Sequence, residues 1–564
     1  MSLPGSRRAL GRLLTAAVLA ALLGGCRAPQ PGAAAPATSP PPRRVEPRGF
    51  VLISIDTLRA DHVGAYGYAK PTTPFLDRLA ARGVVFERAT TPIPATLPAH
   101  LSMFTGLYPG EHDGYPPSGV LAAEIPTLPE LFRAAGFRTA GHSEGGFVAG
   151  GFGFARGFEQ WSDTEYASDT DVDRTFGRGA EFLRSLGPDE RFFLFLHTYA
   201  VHDPYAPPTA IAREFWPGEA PAGAFEPTGA NLAAFNRGHG AVDAAALDWY
   251  RALYDASIRH VDGALERLWG ELERLGLAEA TLLVVTADHG EEFLEHGRLA
   301  HTQVYRESLE VPLIVVTPGD ARPRRVRSLV QLPDLLPTFV DLAGLEMPER
   351  VSGSSLAPLL ADPGLPFARD AYAEDEEPGG HERTLIASLD ADIWQIVRGT
   401  VDVEVDGFWV SREVRFDVFG DDLELRAVAF HEPRRVAIEV DGRPVGALEF
   451  GTDWTPHRLS LPGEGKRTVT LRTPECRTPA SLGTSGDTRC LSFKLQGVNL
   501  GRVELYRNDA DPLQARDLSA AERSRLRELS ARLDRIRHVP VARAAQAALS
   551  DEQIRQLKAL GYLN

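Results

Sequence analysis

Four residues of this 564-residue chain could together attack an anionic ester: Asp56, Thr96, Asp288 and His289. Two carboxylates, an imidazole and a hydroxyl are a donor set for a divalent cation such as Mn or Zn. A cation beside a threonine hydroxyl lowers its pKa and makes it a nucleophile. His100, His202 and His301 could steady equatorial oxygens of the ester or protonate its leaving group. Singly, these residues say little. An aspartate at a strand end is ordinarily a turn residue, a threonine near a proline is ordinarily a cap, and His100 by itself reads as packing. Joint placement at the strand ends of one sheet makes the metal site the better reading.

The segment TPIPATLPAHLSMFTGLYPG, from Thr91, puts Thr96 in front of a short helix with Pro98 at its first position and Gly106 after it. A helix N-terminus offers free N–H groups and a favourable dipole to an anion. Thr96 is therefore either a cap or a nucleophile.

The elements that must position these residues run from about Gly49 to Val397. FVLISID and ATLLVVTADHG read as strands ending on Asp56 and Asp288, and RFFLFLHTY reads as a buried strand. TTPFLDRLAARG reads as a helix capped by Thr73, and residues 244–275 as a long amphipathic helix. Near-continuous apolar strands separated by helices predict an α/β fold, a doubly wound, mostly parallel sheet covered on both faces. Ligands in such sheets collect at the carboxyl ends of strands. Past residue 400 the texture becomes short alternating strands with turn signals, an all-β sandwich or jelly roll ending near LSFKLQGVNL. Helical patterns follow, the last over LSDEQIRQLKALGYLN with Ser550 as cap. The expected division is residues 1–26, 27–47, 48–400, 401–502 and 503–564.

Apolar residues make up 43% of the chain and the net charge is -16. A large core is therefore available, and there is no broad basic surface for nucleic acid. Arg7, Arg8 and Arg12 precede the short apolar run Leu13–Leu23, which ends in LLGGC. That pattern reads as an export signal with a lipobox, Cys26 being the lipidated residue. A Pro/Ala-rich tether follows. The expected location is outside the cytoplasm, lipid-anchored to a bacterial membrane on its periplasmic or surface side. Export puts Cys476 and Cys490 in an oxidising compartment. They read as a disulfide or as two buried thiols, and a loop that would benefit from a staple favours the disulfide.

DTLRADHVGAYGY with PTTPFLDRLAARGVVFERA, then TLPAHLSMFTGLYPGEHDG, then LLVVTADHGEEFLEHGRLAHTQVYRESLEVPLIV resemble, in order, three segments of the sulfatase family of the alkaline phosphatase superfamily. The resemblance covers roughly residues 48–397 and resumes at ELYRNDADPLQARDL. It implies an alkaline-phosphatase-like fold with the β-rich block as an insertion. It also implies hydrolysis of sulfate or phosphate esters. The departures are specific. Sulfatases carry Cys or Ser, oxidised to formylglycine, at the position of Thr96; a threonine carries a methyl on Cβ and cannot give that aldehyde. His100 stands at the family's arginine position. The paired aspartates of the first strand become Asp56-Thr57. The set Asp56, Thr96, Asp288 and His289 is similar to that of relatives that form a phospho-threonine intermediate, including lipoteichoic acid synthases and phosphoethanolamine transferases.

By this resemblance His202 matches a histidine touching the sulfuryl or phosphoryl group, and His301 stands where sulfatases often have a substrate lysine. His142 lies near a family segment without matching it. One divalent ion (Mn, Zn or Ca) is expected and no formylglycine, since Asp61, His62, His197 and Asp203 are near the site in sequence only. The substrate is an anionic ester, on a glycan or lipid headgroup. A phosphoryl or phosphoglycol transferase acting on envelope lipids or glycans is an alternative. A scaffold whose β domain binds glycan through Phe408, Trp409 or Trp454 is another; the plainer reading makes those three core aromatics.

Overall fold

The computed structural model describes residues 46–546 together with positions 554 and 557, except segments 164–170, 378–379, 390–391, 402–407, 420–421, 462–465, 483–489 and 498–500 and positions 118, 411, 520 and 537. Cys26, its tether and Ser550 lie outside the described residues, as do the side chains of Phe408 and Trp409; of the helix expected at Ser550 only Ile554 and Leu557 are described, both helical, with Leu557 buried.

The central layer is an eight-stranded sheet. Its strands are β1 (Gly49–Ile55), β2 (Val84–Thr90), β3 (Arg138–Ser143), β4 (Gln160–Asp163), β5 (Phe192–Thr198), β6 (Thr281–Thr286), β7 (Glu310–Val316) and β8 (Arg324–Gln331), in the order β8-β2-β7-β6-β1-β5-β3-β4. Every residue of β1, β5 and β6 is buried. Residues of a strand point alternately to the two faces, so both faces of these strands are covered. β1 lies parallel between β5 and β6, with Ser54 beside His197 and Thr286. The sheet is mixed: β7 runs antiparallel to both neighbours, β2 and β6.

Three helices matter for the site: α1 (Pro74–Ala80), α2 (Thr96–Thr105) and α3 (Ala244–Arg274). Thr73 precedes α1 but does not cap it through its side chain. Its hydroxyl instead accepts from the Gly64 N–H and donates to Asp77. The cap comes from α3, where the Asp262 carboxylate accepts from the Phe75 and Leu76 N–H groups at 2.9 and 2.8 Å. Removing such an acceptor costs about 1 kcal/mol.

Beyond the central layer the chain builds a four-stranded antiparallel sheet from Ala371–Glu377, Gly380–Leu389, Asp392–Val401 and Gly501–Arg507. Leu526, Leu529 and Leu533 of the helix Arg523–Leu533 pack with Leu385, Trp394 and Leu505 of this sheet. The intervening chain leaves and returns on neighbouring strands, with Thr400 opposite Gly501. Between them two further four-stranded antiparallel sheets share a core that includes Leu425, Val436, Ile438, Val469, Phe493 and Leu495. That is the sandwich form of the expected β insertion. Cys476 and Cys490 are disulfide-bonded, with Cα atoms 5.4 Å apart. Among the described residues no helix is long and apolar enough to cross a membrane.

Candidate active site

The carboxyl ends of β1, β5 and β6, three adjacent parallel strands, deliver the site. Asp56 follows β1, His197 stands near the end of β5, and Asp288 and His289 follow β6. Thr57 takes a left-handed φ of 57°. That conformation is strained for a β-branched residue. Its N–H donates to Asp288 Oδ1 at 3.2 Å, tying two strand ends together.

Thr96 is the first residue of α2, with Ala95 in the cap position. The reading of Thr96 as a cap, and of Pro98 as the first helical residue, is thereby corrected. Thr96 Oγ1 lies 3.4 Å from Asp56 Oδ2 and 3.3 Å from His289 Nε2. The other nitrogen of His289, Nδ1, donates to the Gly290 carbonyl at 3.1 Å. A carbonyl only accepts, so the proton of the neutral ring lies on Nδ1 and the Nε2 lone pair faces the site.

Two groups in this cluster have the spacing of cation ligands: Asp56, Asp288 and His289, and His100, His197 and Asp288. The first fits a divalent metal. Asp56 Oδ1 and Asp288 Oδ2 are buried with no hydrogen-bond partner. Such atoms are costly unless something positive meets them. Burial, and then the Asp288 carboxylate opposite, push Asp56 well above the ordinary carboxylate range. Burial also pushes Asp288 up, but the imidazoles of His289, His100 and His197 outweigh it and hold Asp288 at about 2. His289 is lowered to about 4, mainly by burial, and so is neutral as a ligand must be. The second group is weaker, because His100 has no free nitrogen. Its Nδ1 donates to the Thr96 carbonyl at 2.8 Å and its Nε2 accepts from the Ser54 hydroxyl at 2.9 Å.

This corrects the sequence reading of His100. It lies under Thr96, where it holds the first turn of α2, and it has no nitrogen left for an ester oxygen. His301 and His202 adjoin the cluster through His289: the His301 ring centroid is 4.4 Å from that of His289 and 5.1 Å from that of His202. His142 is not in the cluster and contacts Ser162. His62 pairs with Asp255 and Asp61 with Arg59. Asp203 is buried beside His202 and is pushed up to about 7 by burial.

Sequence reasoning passed over two residues. His197 Nε2 is 3.3 Å from Asp56 Oδ2, so it is near the site in space and not in sequence only. A lone histidine closing the apolar run FFLFLHT was the available signal. Glu291 is fully buried; its Oε1 is 3.7 Å from His301 Nδ1, and burial pushes it up to about 7.

A model of the sulfatase family matches residues 48–345, and a model of the N-sulphoglucosamine sulphohydrolase C-terminal region matches residues 294–404. The chain is 24% identical to an arylsulfatase of Clostridium perfringens over 418 residues, 62% of this chain and 86% of that one. It is also 24% identical to arylsulfatase K of Gallus gallus over 463 residues, 72% and 83% of the two chains. Among solved structures, BT4656 in complex with its substrate D-glucosamine-2-N,6-O-disulfate superposes with a TM-score of 0.58 at 16% identity, covering 87% of this chain and 97% of that one. The phosphonate monoester hydrolase of Agrobacterium radiobacter does so at 0.50 and 22%, covering 62% and 87%. These likenesses support the layered α/β fold, and the family match spans more than half of the sequence. The chain belongs to the sulfatase family.

Proposed function

We propose that the chain is a metal-dependent hydrolase of sulfate or phosphate esters in which Thr96 is the nucleophile. Hydrolysis of a sulfuric or phosphoric ester is what the family carries. The threonine adds a preference for phosphoryl chemistry, because no formylglycine can form there. The observation that carries the reading is the Thr96 hydroxyl at the start of α2, facing Asp56 Oδ2 and the lone pair of His289 Nε2.

Asp56, Asp288, His289 and Thr96 Oγ1 would hold a divalent cation, which would lower the pKa of the hydroxyl and offset charge on the ester. The chain's own groups account for the rest. The threonine proton leaves toward Asp56 Oδ2 as Oγ1 bonds to the phosphorus or sulfur atom. The ester bond to the alcohol breaks, and His202, whose ring lies 5.1 Å from that of His301, supplies the leaving oxygen with its proton. Water, giving a proton to the same histidine, then attacks the same centre; the bond to Oγ1 breaks, and Asp56 returns its proton to the hydroxyl. His100 keeps Thr96 in register throughout.

An anionic group on a glycan is the substrate class this reading favours, in keeping with the sulfated sugar held by BT4656. Lipidation at Cys26 and location at a bacterial membrane belong to the same proposal, and the mass of the N-terminal peptide of the exported protein checks them.

The deciding experiment assays aryl sulfate, aryl phosphate monoester and aryl phosphate diester side by side with Mn, Zn and Ca, on the wild type and Thr96→Ala. Turnover that falls about 10³-fold or more in the variant supports the nucleophile. Turnover that survives it overturns the assignment. Transfer of the phosphoryl group to an added alcohol in place of water would favour a transferase.

A further inference from the structure

The two oxygens of Asp56 have different surroundings. Oδ1 has no hydrogen-bond partner. Oδ2 has two neighbours, the Thr96 hydroxyl at 3.4 Å and His197 Nε2 at 3.3 Å. His197 is fully buried and its Nδ1 has no partner. A neutral imidazole carries one proton. Here one nitrogen faces a carboxylate oxygen, which only accepts, and the other faces no acceptor. The proton therefore belongs on Nε2, where it is donated to Asp56.

The ring is fixed on several sides. Ser54 on β1 stands beside it in register, and the rings of His100 and Tyr199 meet it nearly edge-on, with centroids 4.7 and 4.6 Å away. Asp56 is held from the same direction, since its N–H donates to the Thr198 carbonyl at 3.0 Å. Strand β5 thus grips Asp56 by backbone and side chain at once.

We propose that His197 is a positioning residue for Asp56: its Nε2–H fixes Oδ2 and so turns Oδ1 toward the bound cation. The inference rests on the reading that Asp56 holds that cation. Outer partners of this kind are worth about 10–100-fold in metal affinity. Position 57, next to Asp56, supplies no carboxylate in this chain. The Thr57 hydroxyl is buried without a partner, so the orientation of the single carboxylate at this strand end matters more.

The test titrates metal-free protein with MnCl2 by calorimetry and needs no turnover. His197→Leu is expected to bind Mn about 10–100-fold more weakly. His197→Gln, whose amide N–H2 reaches the place of Nε2, is expected to restore affinity close to wild type. His197→Asn, whose shorter amide falls near Nδ1, is expected to resemble His197→Leu. Melting of the metal-free variants shows that each is folded. Wild-type affinity in His197→Leu would overturn the proposal, as would a His197→Gln variant as weak as His197→Leu. Asp288→Asn separates the two levels. If it leaves Mn binding intact, the cation site itself fails; if it abolishes binding while His197→Leu does not, only the role of His197 fails.

Discussion

The Thr96 hydroxyl and His289 Nε2 are 3.3 Å apart, and the proton of the imidazole is on the far side, bound to the Gly290 carbonyl. The histidine thus presents an electron pair to the same space as the nucleophile, which a ligand of a shared cation must do. A general base would need the same lone pair, so the two roles are separated by the effect of metal on activity.

The hydroxyl of Thr96, not its bulk, is the group that matters. Thr96→Val keeps shape and burial and should lose about 10³-fold in kcat/KM. Thr96→Ser should stay within about tenfold of wild type. Melting temperatures of both should remain near wild type. Initial rates with an aryl phosphate or aryl sulfate make the comparison.

Removal of metal should abolish turnover and destabilise the fold. Asp56 Oδ1 and Asp288 Oδ2 accept no hydrogen bond, so departure of the cation would leave two buried carboxylates facing each other. A cation at a hundred times its Kd adds about 2.7 kcal/mol to stability. Chelation should therefore lower the melting temperature as well as the rate, and Mn or Zn should restore both in the wild type but not in Asp288→Asn at the same concentration.

His112 should make the protein sensitive to acid. It is fully buried, and burial lowers it to about 4. Nδ1 accepts from the Gly114 N–H at 3.1 Å, while Nε2 lies 3.1 Å from the Pro98 carbonyl under α2. Protonation of Nδ1 breaks the first of these bonds. Between about 4 and 6.5 the unfolded chain binds the extra proton and the folded chain does not, so stability rises with pH across that window. The contribution is fully present above about 6.5 and fades as pH falls toward 4, by about 3 kcal/mol in total. Urea unfolding at several pH values should show a slope smaller by about one proton in His112→Gln.

The disulfide should stabilise the β insertion without affecting catalysis. Cys476 and Cys490 are 14 residues apart, and a loop of that length is worth about 3 kcal/mol when closed. Reduction should lower the melting transition of the sandwich while ester hydrolysis persists, as calorimetry and rate measurements on one reduced sample would show.

What the sequence revealed follows from how local each feature is. Strands β1, β5 and β6 were legible because residues covered on both faces leave an unbroken apolar run. The aspartates that close β1 and β6 were legible because polar residues interrupt those runs. The antiparallel direction of β7 was not, since direction depends on the path of the chain and not on the strand's own residues. The second antiparallel sheet was also hidden: Asp392–Val401 pairs with Gly501–Arg507, across the whole inserted sandwich. In the site, Thr96, Asp288 and His289 were found by type and order. His197 was discounted because only the parallel register of β1 and β5 brings it to Asp56. His100 was given a direct role that its two hydrogen bonds take away, and no spacing rule reveals where both nitrogens of a ring are spent.

The central claim is a covalent bond between Thr96 and the transferred group, and trapping tests it most directly. Metal-loaded protein is mixed with a radiolabelled aryl phosphate, quenched in acid within the first turnovers, and mapped by peptide mass. One phosphoryl group on Thr96, chased away by unlabelled substrate and absent from Thr96→Val, is the expected result. Turnover with no label on Thr96, or with the label on another side chain, would contradict it.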